Sequence, residues 1–256
     1  MCHERDARPP LPPIAGASGP ARTQHLILEA EDGNRFNAFS ATTVRPDAPG
    51  VMILPDFLGL GSFYEELAVR FAEAGVHATA MDPFGRSAGL DEHGDDFEPM
   101  PHVLQLTPDG TGYDTAATLA YLRSEAGGSP THVYSVGFCL GGRMSFNQAW
   151  RDHGLDGVVG FYGGPQGRGP DDETAPIRSA PQYRCPVLGL FGGADEGIPA
   201  EAVERFSAAL DEAGVQNEMV IYPGAPHSFF DRKSADFKEA CDDAWTRVLR
   251  FVGAIE

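Results

Sequence analysis

One cysteine of the chain lies in a sequence motif that could carry covalent chemistry. Cys139 stands between Gly137 and Gly141 in the order Gly-x-Cys-x-Gly, after an apolar strand-like run and before a helical pattern. This is the pattern of a nucleophile elbow, in which the two glycines let the strand and the helix approach closely. At the start of the helix, the dipole and the free backbone N–H groups favour a thiolate and a developing oxyanion. The alternative is a small buried cysteine that is flanked by glycines by chance.

Two ionisable residues follow later strand-like runs in the order that a catalytic triad of this type requires. Asp195 comes shortly after the apolar run 186–192 and before a helical pattern. Of the eight histidines, His227 alone follows the last strand-like run, 218–224. Because the acid and the base follow the nucleophile in this order, we predict His227 as the general base and Asp195 as its orienting acid. Glu196 is a rival carboxylate, and a structural role remains the alternative for each.

Alternating strand-like and helical patterns must position these side chains. We predict strands at 25–30, 35–43, 51–55, 76–82, 131–138, 157–163, 186–192 and 218–224, and helices at 62–75, 111–126, 140–150, 200–214 and 234–255. The first two strands form a hairpin, and loops are expected at 83–109 and 164–183. This alternation predicts the α/β class, with a mostly parallel sheet covered by helices on both faces. Ligands of such sheets bind beyond the carboxyl ends of the strands.

Composition narrows the class of protein. The chain has 256 residues, 42% of them hydrophobic, and a net charge of −18. An acidic surface repels nucleic acid and anionic lipid, so neither is expected as a partner. The four cysteines form no CxxC pair, and no run resembles a signal peptide or a membrane span. We therefore predict a cytoplasmic monomer or homodimer with a Pro-rich leader at 1–22 and a single domain at 23–256.

Several motifs together resemble the dienelactone hydrolase family. They are Gly-Phe-Cys-Leu-Gly-Gly at 137–142, Gly-Ala-Asp-Glu-Gly-Ile-Pro at 193–199 and Pro-His-Ser-Phe-Phe at 226–230. The resemblance covers roughly 50–255 and implies an α/β-hydrolase fold. It also implies hydrolysis of a carboxylic ester or lactone through an acyl-thioester on Cys139, without a cofactor or a metal. The oxyanion donors that it implies are the backbone N–H groups of Leu140 and Phe57.

The chain departs from the dienelactone-cleaving members of that family at two positions. Those members have a Glu before the second oxyanion donor, which helps to ionise the thiol. Asp56 stands here, and it could equally cap its loop. Four residues after the catalytic His, those members have an Arg that binds the lactone carboxylate, where this chain has Asp231. Candidate substrate-binding residues are Arg86, Arg143, Arg232, Tyr162 and Phe229.

Other readings of the same residues stay open. A triad of this kind could transfer an acyl group or hydrolyse an activated phosphoester instead. A non-catalytic ligand-binding protein or a redox-sensing thiol is the alternative from a different class, although neither needs all three triad residues. The acidic run 91–98 is predicted to be a solvated loop that could cover the site as a lid. Cys185 and Cys241 are expected to be packing residues.

Overall fold

The computed structural model describes residues 7–11, 19–91, 93–94, 96–167, 169, 172–231 and 234–256. The strands of this part are β1 (Arg22–Glu29), β2 (Arg35–Thr42), β3 (Gly50–Leu54), β4 (His77–Met81), β5 (Val133–Phe138), β6 (Gly157–Phe161), β7 (Val187–Gly192) and β8 (Asn217–Tyr222). They form a sheet in the order β1-β2-β4-β3-β5-β6-β7-β8. The pairs β1–β2 and β2–β4 are antiparallel, and the other neighbouring pairs are parallel. The predicted α/β class with a mostly parallel sheet is confirmed.

Helices cover both faces of this sheet. They are α1 (Ser62–Glu73), α2 (Gly85–Ala88), α3 (Pro99–Val103), α4 (Pro108–Arg123), α5 (Leu140–Phe146), α6 (Pro176–Ser179), α7 (Ala200–Glu212) and α8 (Lys238–Phe251). Strand β3 shows the two layers, because successive side chains of a strand point to opposite faces. Val51 and Ile53 belong to one buried cluster, which includes residues of α1, α7 and α8. Met52 and Leu54 belong to a second cluster, which includes Leu119 of α4.

The predicted loop 83–109 is wrong in part, because it contains α2, α3 and the start of α4. Helix α4 begins at Pro108 rather than at 111. The Thr107 side chain accepts the N–H of Gly110 at 3.1 Å, and Pro108 occupies the first helical position. A threonine cap followed by proline is a favourable helix start, since the proline lacks only an N–H that would be unpaired there.

Four other features also differ from the prediction. Helix α6 lies within the expected loop 164–183, and α8 begins at Lys238 rather than at 234. Helix α5 ends at Phe146 instead of reaching 150. Strand β1 begins at Arg22, the last residue of the predicted leader. Among the described helices, none is long and apolar enough to cross a lipid bilayer.

Arg86 fastens the β1–β2 hairpin to α4. Its guanidinium pairs with Asp114 of α4 at 2.8 Å and with Asp32 of the hairpin turn at 2.6 Å. The Asp114 side chain is only 3% exposed. Burial raises the pKa of the Asp114 carboxyl, and the hydrogen bonds from Arg86 oppose that rise. These contacts assign Arg86 a structural role, so its prediction as a substrate-binding residue is not supported by its position.

Replacing Arg86 with Met is expected to lower the free energy of unfolding by about 2 kcal/mol at neutral pH, because the buried Asp114 carboxylate would lose its charged partner and keep the bond from Asn34. A carboxyl group whose pKa is higher in the folded state than in the unfolded state destabilises the protein at high pH. This destabilisation grows as the pH rises from the unfolded-state pKa through the folded-state pKa. The deficit of the variant should therefore shrink as the pH falls through the Asp114 pKa. Urea unfolding over a pH series measures this, with Arg35→Met on the exposed face of the same hairpin as control. A deficit that does not vary with pH would exclude Asp114 as its cause.

Candidate active site

The turn between β5 and α5 holds Cys139 in a strained backbone conformation. Its φ is 53° and its ψ is −111°, in a region that residues other than glycine rarely adopt. A Cβ atom on Gly137 would lie 1.9 Å from the carbonyl oxygen of Gly141, and one on Gly141 would lie 2.0 Å from that of Leu54. Neither position can therefore carry a side chain. The Cys139 N–H donates to the carbonyl of Phe161 at 3.0 Å, which fixes the turn against β6.

A buried aspartate holds the candidate base. Nδ1 of His227 lies 2.6 Å from Oδ2 of Asp195, whose side chain is 4% exposed. Oδ1 of the same carboxylate accepts the N–H of Gly197 at 2.9 Å. The carboxylate therefore has one oxygen fixed by its own loop and the other bonded to the imidazole. The imidazole is 30% exposed, so part of its surface remains accessible.

The strand order brings the three residues to one edge of the sheet. Cys139 follows β5, Asp195 follows β7 and His227 follows β8, and these strands run parallel. Between them, Tyr162 follows β6 with a φ of 38°. Its ring lies 4.9 Å from the ring of His227 and 6.3 Å from that of Phe138, the residue before the elbow cysteine. Tyr162 is thus packed between the base and the elbow, and it is only 1% exposed.

The two backbone N–H groups predicted as oxyanion donors take no part in the hydrogen bonds of their own helix or turn. Leu140 is the first residue of α5, where no preceding turn of helix offers a carbonyl partner. Phe57 is the second residue of a turn that is closed by the N–H of Gly59, which donates to the carbonyl of Asp56 at 3.1 Å. The N–H of a second turn residue takes no part in that closing bond. Neither N–H group is therefore used by the turn or helix that contains it, which is compatible with the predicted oxyanion role.

The sequence also matches known proteins over most of its length. A model of the dienelactone hydrolase family matches residues 36–256. The chain belongs to the dienelactone hydrolase family. The match confirms the predicted family, and with the sheet topology it confirms the α/β-hydrolase fold and the hydrolase class.

Individual relatives agree with this membership. The chain is 27% identical over 223 residues to the "Putative carboxymethylenebutenolidase" of Escherichia coli O157:H7, with 86% of this chain and 82% of the relative covered. A protein of the same description from Saccharolobus solfataricus is 28% identical over 259 residues, which cover 88% and 96% of the two chains. The crystal structure of a "Putative Dienelactone Hydrolase" from Klebsiella pneumoniae superposes with a TM-score of 0.74 at 26% identity, covering 91% of this chain and 98% of the other.

Asp56 of this dienelactone hydrolase family member is buried next to the Phe57 donor, with 1% exposure. Its Oδ1 accepts the N–H of Leu58 at 2.8 Å, and its backbone N–H donates to the hydroxyl of Tyr64 at 3.0 Å. These bonds give Asp56 the loop-capping role that the sequence left open. A part in ionising Cys139 stays a prediction.

The predicted substrate-binding residues differ in their surroundings. Phe229 is fully buried, and its ring packs against Tyr162 at 5.7 Å and Tyr222 at 5.0 Å. Arg143 donates to Asp172 at 2.7 Å and to Thr174 at 2.6 Å. Arg232 lies outside the described residues.

A cleft of about 520 Å³ opens beside Leu140 and runs along α5. Arg143 lines it from α5, so this side chain stands at the cleft although its guanidinium is held by Asp172. Apolar side chains in the same lining include Val103, Leu106, Met144 and Trp150. The cleft therefore combines hydrocarbon and polar side chains beside Leu140, one of the predicted oxyanion donors.

The other described cysteines are poor candidates for the nucleophile. Burial raises the pKa of Cys185 to about 12 and that of Cys241 to about 12, so both thiols stay protonated at neutral pH. Cys139 is partly exposed, whereas these two are buried. The prediction that they pack in the core agrees with their burial.

One feature near the site was missed by the sequence analysis. His93 lies in the acidic run 91–98 that was predicted to be solvated, yet its side chain is 3% exposed and bonded to Asp82. The expectation of a solvated loop is therefore wrong at His93. A signal was present, because Asp82 directly follows β4, the strand next to the one that leads to Phe57.

Proposed function

We propose that this protein hydrolyses carboxylic esters or lactones through an acyl-thioester on Cys139. The observation that carries the proposal is the strained elbow cysteine at the same sheet edge as the His227–Asp195 pair. Strain of this kind persists only where the surrounding structure enforces it, and it is concentrated at functional sites. The curated relatives described as carboxymethylenebutenolidases support the same class of reaction. A thiol nucleophile fits a reducing compartment, and we propose a cytoplasmic location.

The reaction would proceed in two steps. His227 takes the proton of the Cys139 thiol as the sulfur attacks the carbonyl carbon. The carbonyl oxygen becomes negative and accepts hydrogen bonds from the backbone N–H groups of Leu140 and Phe57. Collapse of this intermediate breaks the bond to the leaving oxygen, which receives the proton from His227. Water, deprotonated by the same imidazole, then attacks the thioester carbonyl. The C–S bond breaks, the carboxylic acid leaves, and the imidazole returns its proton to the sulfur. Asp195 holds the imidazole in the orientation that both steps need.

The charges around the site support an uncharged substrate. Asp231 occupies the position of the family's carboxylate-binding Arg, and it is 5% exposed. Arg86 and Arg143 already hold aspartate partners, at 2.6 to 2.8 Å. A neutral acyl or aryl ester, whose hydrocarbon part could enter the cleft beside Leu140, is therefore a better candidate than a carboxylate-bearing lactone.

Trapping the intermediate tests this function. The protein is mixed with a short aryl ester, quenched in acid during turnover, and examined by intact mass and peptide mapping. We expect one acyl group per chain on the peptide that contains Cys139, and none on protein whose Cys139 was first blocked with iodoacetamide. An adduct on another residue, or no turnover of any ester or lactone, would contradict the proposal. Product formed with an added alcohol would indicate acyl transfer instead.

A further inference from the structure

A second His–Asp pair lies beside the loop 56–60, which carries the Phe57 oxyanion donor. Nε2 of His93 lies 3.0 Å from Oδ1 and 2.9 Å from Oδ2 of Asp82. The side chains are 3% and 1% exposed, respectively. Folding therefore removes both side chains from water, and the desolvation of the Asp82 carboxylate costs free energy. The triad already described uses neither residue.

The pair is in direct contact with the backbone of the 56–60 loop. A Cβ atom on Gly59 would lie 2.7 Å from Cδ2 of His93 and 3.0 Å from Oδ1 of Asp82, so ring and carboxylate both abut this residue. Gly59 has a φ of 80°, and its N–H closes the turn that contains Phe57. The Asp82 oxygen also accepts the N–H of Leu60 at 3.4 Å. Asp82 and His93 thus hold the loop at Gly59 and Leu60.

Aromatic stacking holds His93 in this place. Its ring stacks on Phe97 at 4.0 Å with an interplanar angle of 25°. Phe97 stacks in turn on His102 at 4.9 Å and 12°, and Nδ1 of His102 lies 3.0 Å from the Ser87 hydroxyl. The stack connects the segment around residue 97 to the loop through the imidazole of His93. His102 shares the stack but has its polar contact elsewhere.

We propose that Asp82 and His93 are positioning residues, which fix the 56–60 loop so that the Phe57 N–H is aimed at the developing oxyanion. This inference rests on the ester-hydrolase function proposed above. A donor acts on the transition state only if it is held in place before the reaction, and one such donor is worth about a hundredfold or more in rate. Asp56 and Tyr64 fix the start of this loop, whereas Asp82 and His93 fix Gly59 and Leu60, the two residues that follow the Phe57–Leu58 segment.

Replacing His93 with Ala should lower kcat for a neutral aryl ester by about tenfold or more, with KM changed by less than about twofold. The matched control is His102→Ala, which removes the other imidazole of the stack and should leave kcat within about twofold of wild type. His93→Gln, which can still offer an N–H to Asp82, should recover part of the loss. Asp82→Asn keeps the volume of the pair and should resemble His93→Ala.

A second readout separates positioning from general damage. Alkylation of Cys139 by iodoacetamide builds no oxyanion, so its rate should be unchanged in His93→Ala while ester turnover falls. Equal losses in His93→Ala and His102→Ala, or a parallel fall in alkylation, would overturn the inference, as would wild-type turnover in both His93→Ala and Asp82→Asn. Wild-type protein without ester turnover would instead defeat the proposed function, and the positioning role with it.

Discussion

Replacing Cys139 with Ala is expected to lower kcat/KM for a short aryl ester by about a thousandfold or more, since the covalent route is removed. The strained backbone of the elbow, with its φ of 53°, places this thiol at the N-terminus of α5. The remaining activity should come only from binding and from the N–H groups of Leu140 and Phe57. Initial rates with wild type and variant at matched concentration, with a check of melting temperature, measure the effect.

Cys241→Ala is the matched control for this prediction. Its thiol is buried in α8, where it donates to the carbonyl of Phe229 at 3.3 Å. Burial raises its pKa to about 12, so it offers no thiolate near neutral pH. The control should retain the wild-type rate, with any effect confined to stability. If turnover survives in Cys139→Ala but is lost in Cys241→Ala, Cys139 is not the nucleophile.

The sheet could be predicted from sequence because its inner strands are buried on both faces. β7 (Val187–Gly192) lies within one residue of the predicted run 186–192, and all six of its residues are buried. A continuous apolar run of this length is typical of a parallel strand that is buried on both faces of its sheet. The elbow could also be predicted from sequence, because close backbone contacts allow only glycine at Gly137 and Gly141.

The short helices could not be predicted in the same way. α2 and α6 have four residues each and α3 has five, which is too short for a helical period to show. Their place is decided by what they pack against. Gly85 at the start of α2, for example, lies so close to β2 that a Cβ would be 2.4 Å from the Phe36 side chain.

Roles that depend on a distant partner were also beyond the sequence. Arg86 stood in a position compatible with a substrate carboxylate, yet its partners lie 54 and 28 residues away at Asp32 and Asp114. His93 was assigned to solvent because its neighbours are acidic, and its partner Asp82 is 11 residues away. Local charge pattern predicts solvation only when no tertiary partner competes for the side chain.

The His227–Asp195 pair gives the second large effect that we expect. His227→Ala should lower kcat by about a thousandfold or more, because it removes the proposed general base for both the thiol and the water. Asp195→Asn should lower it by about a hundredfold or more while leaving the fold intact. An amide nitrogen in the place of Oδ2 cannot accept the proton that the imidazole holds on Nδ1, at 2.6 Å. The imidazole would then be stabilised in the tautomer that cannot act as the base.

Glu196→Gln separates this role from a general need for negative charge after β7. Glu196 is exposed and directly follows Asp195, so the two variants remove the same charge from adjacent positions. We expect Glu196→Gln to retain the wild-type rate, because the bond from Gly197 and the bond to His227 both belong to Asp195. The rate losses of Cys139→Ala and His227→Ala should not be additive in the double variant, since base and nucleophile act in one step. Additive losses, or equal losses at Asp195 and Glu196, would mean that these residues do not form one catalytic unit.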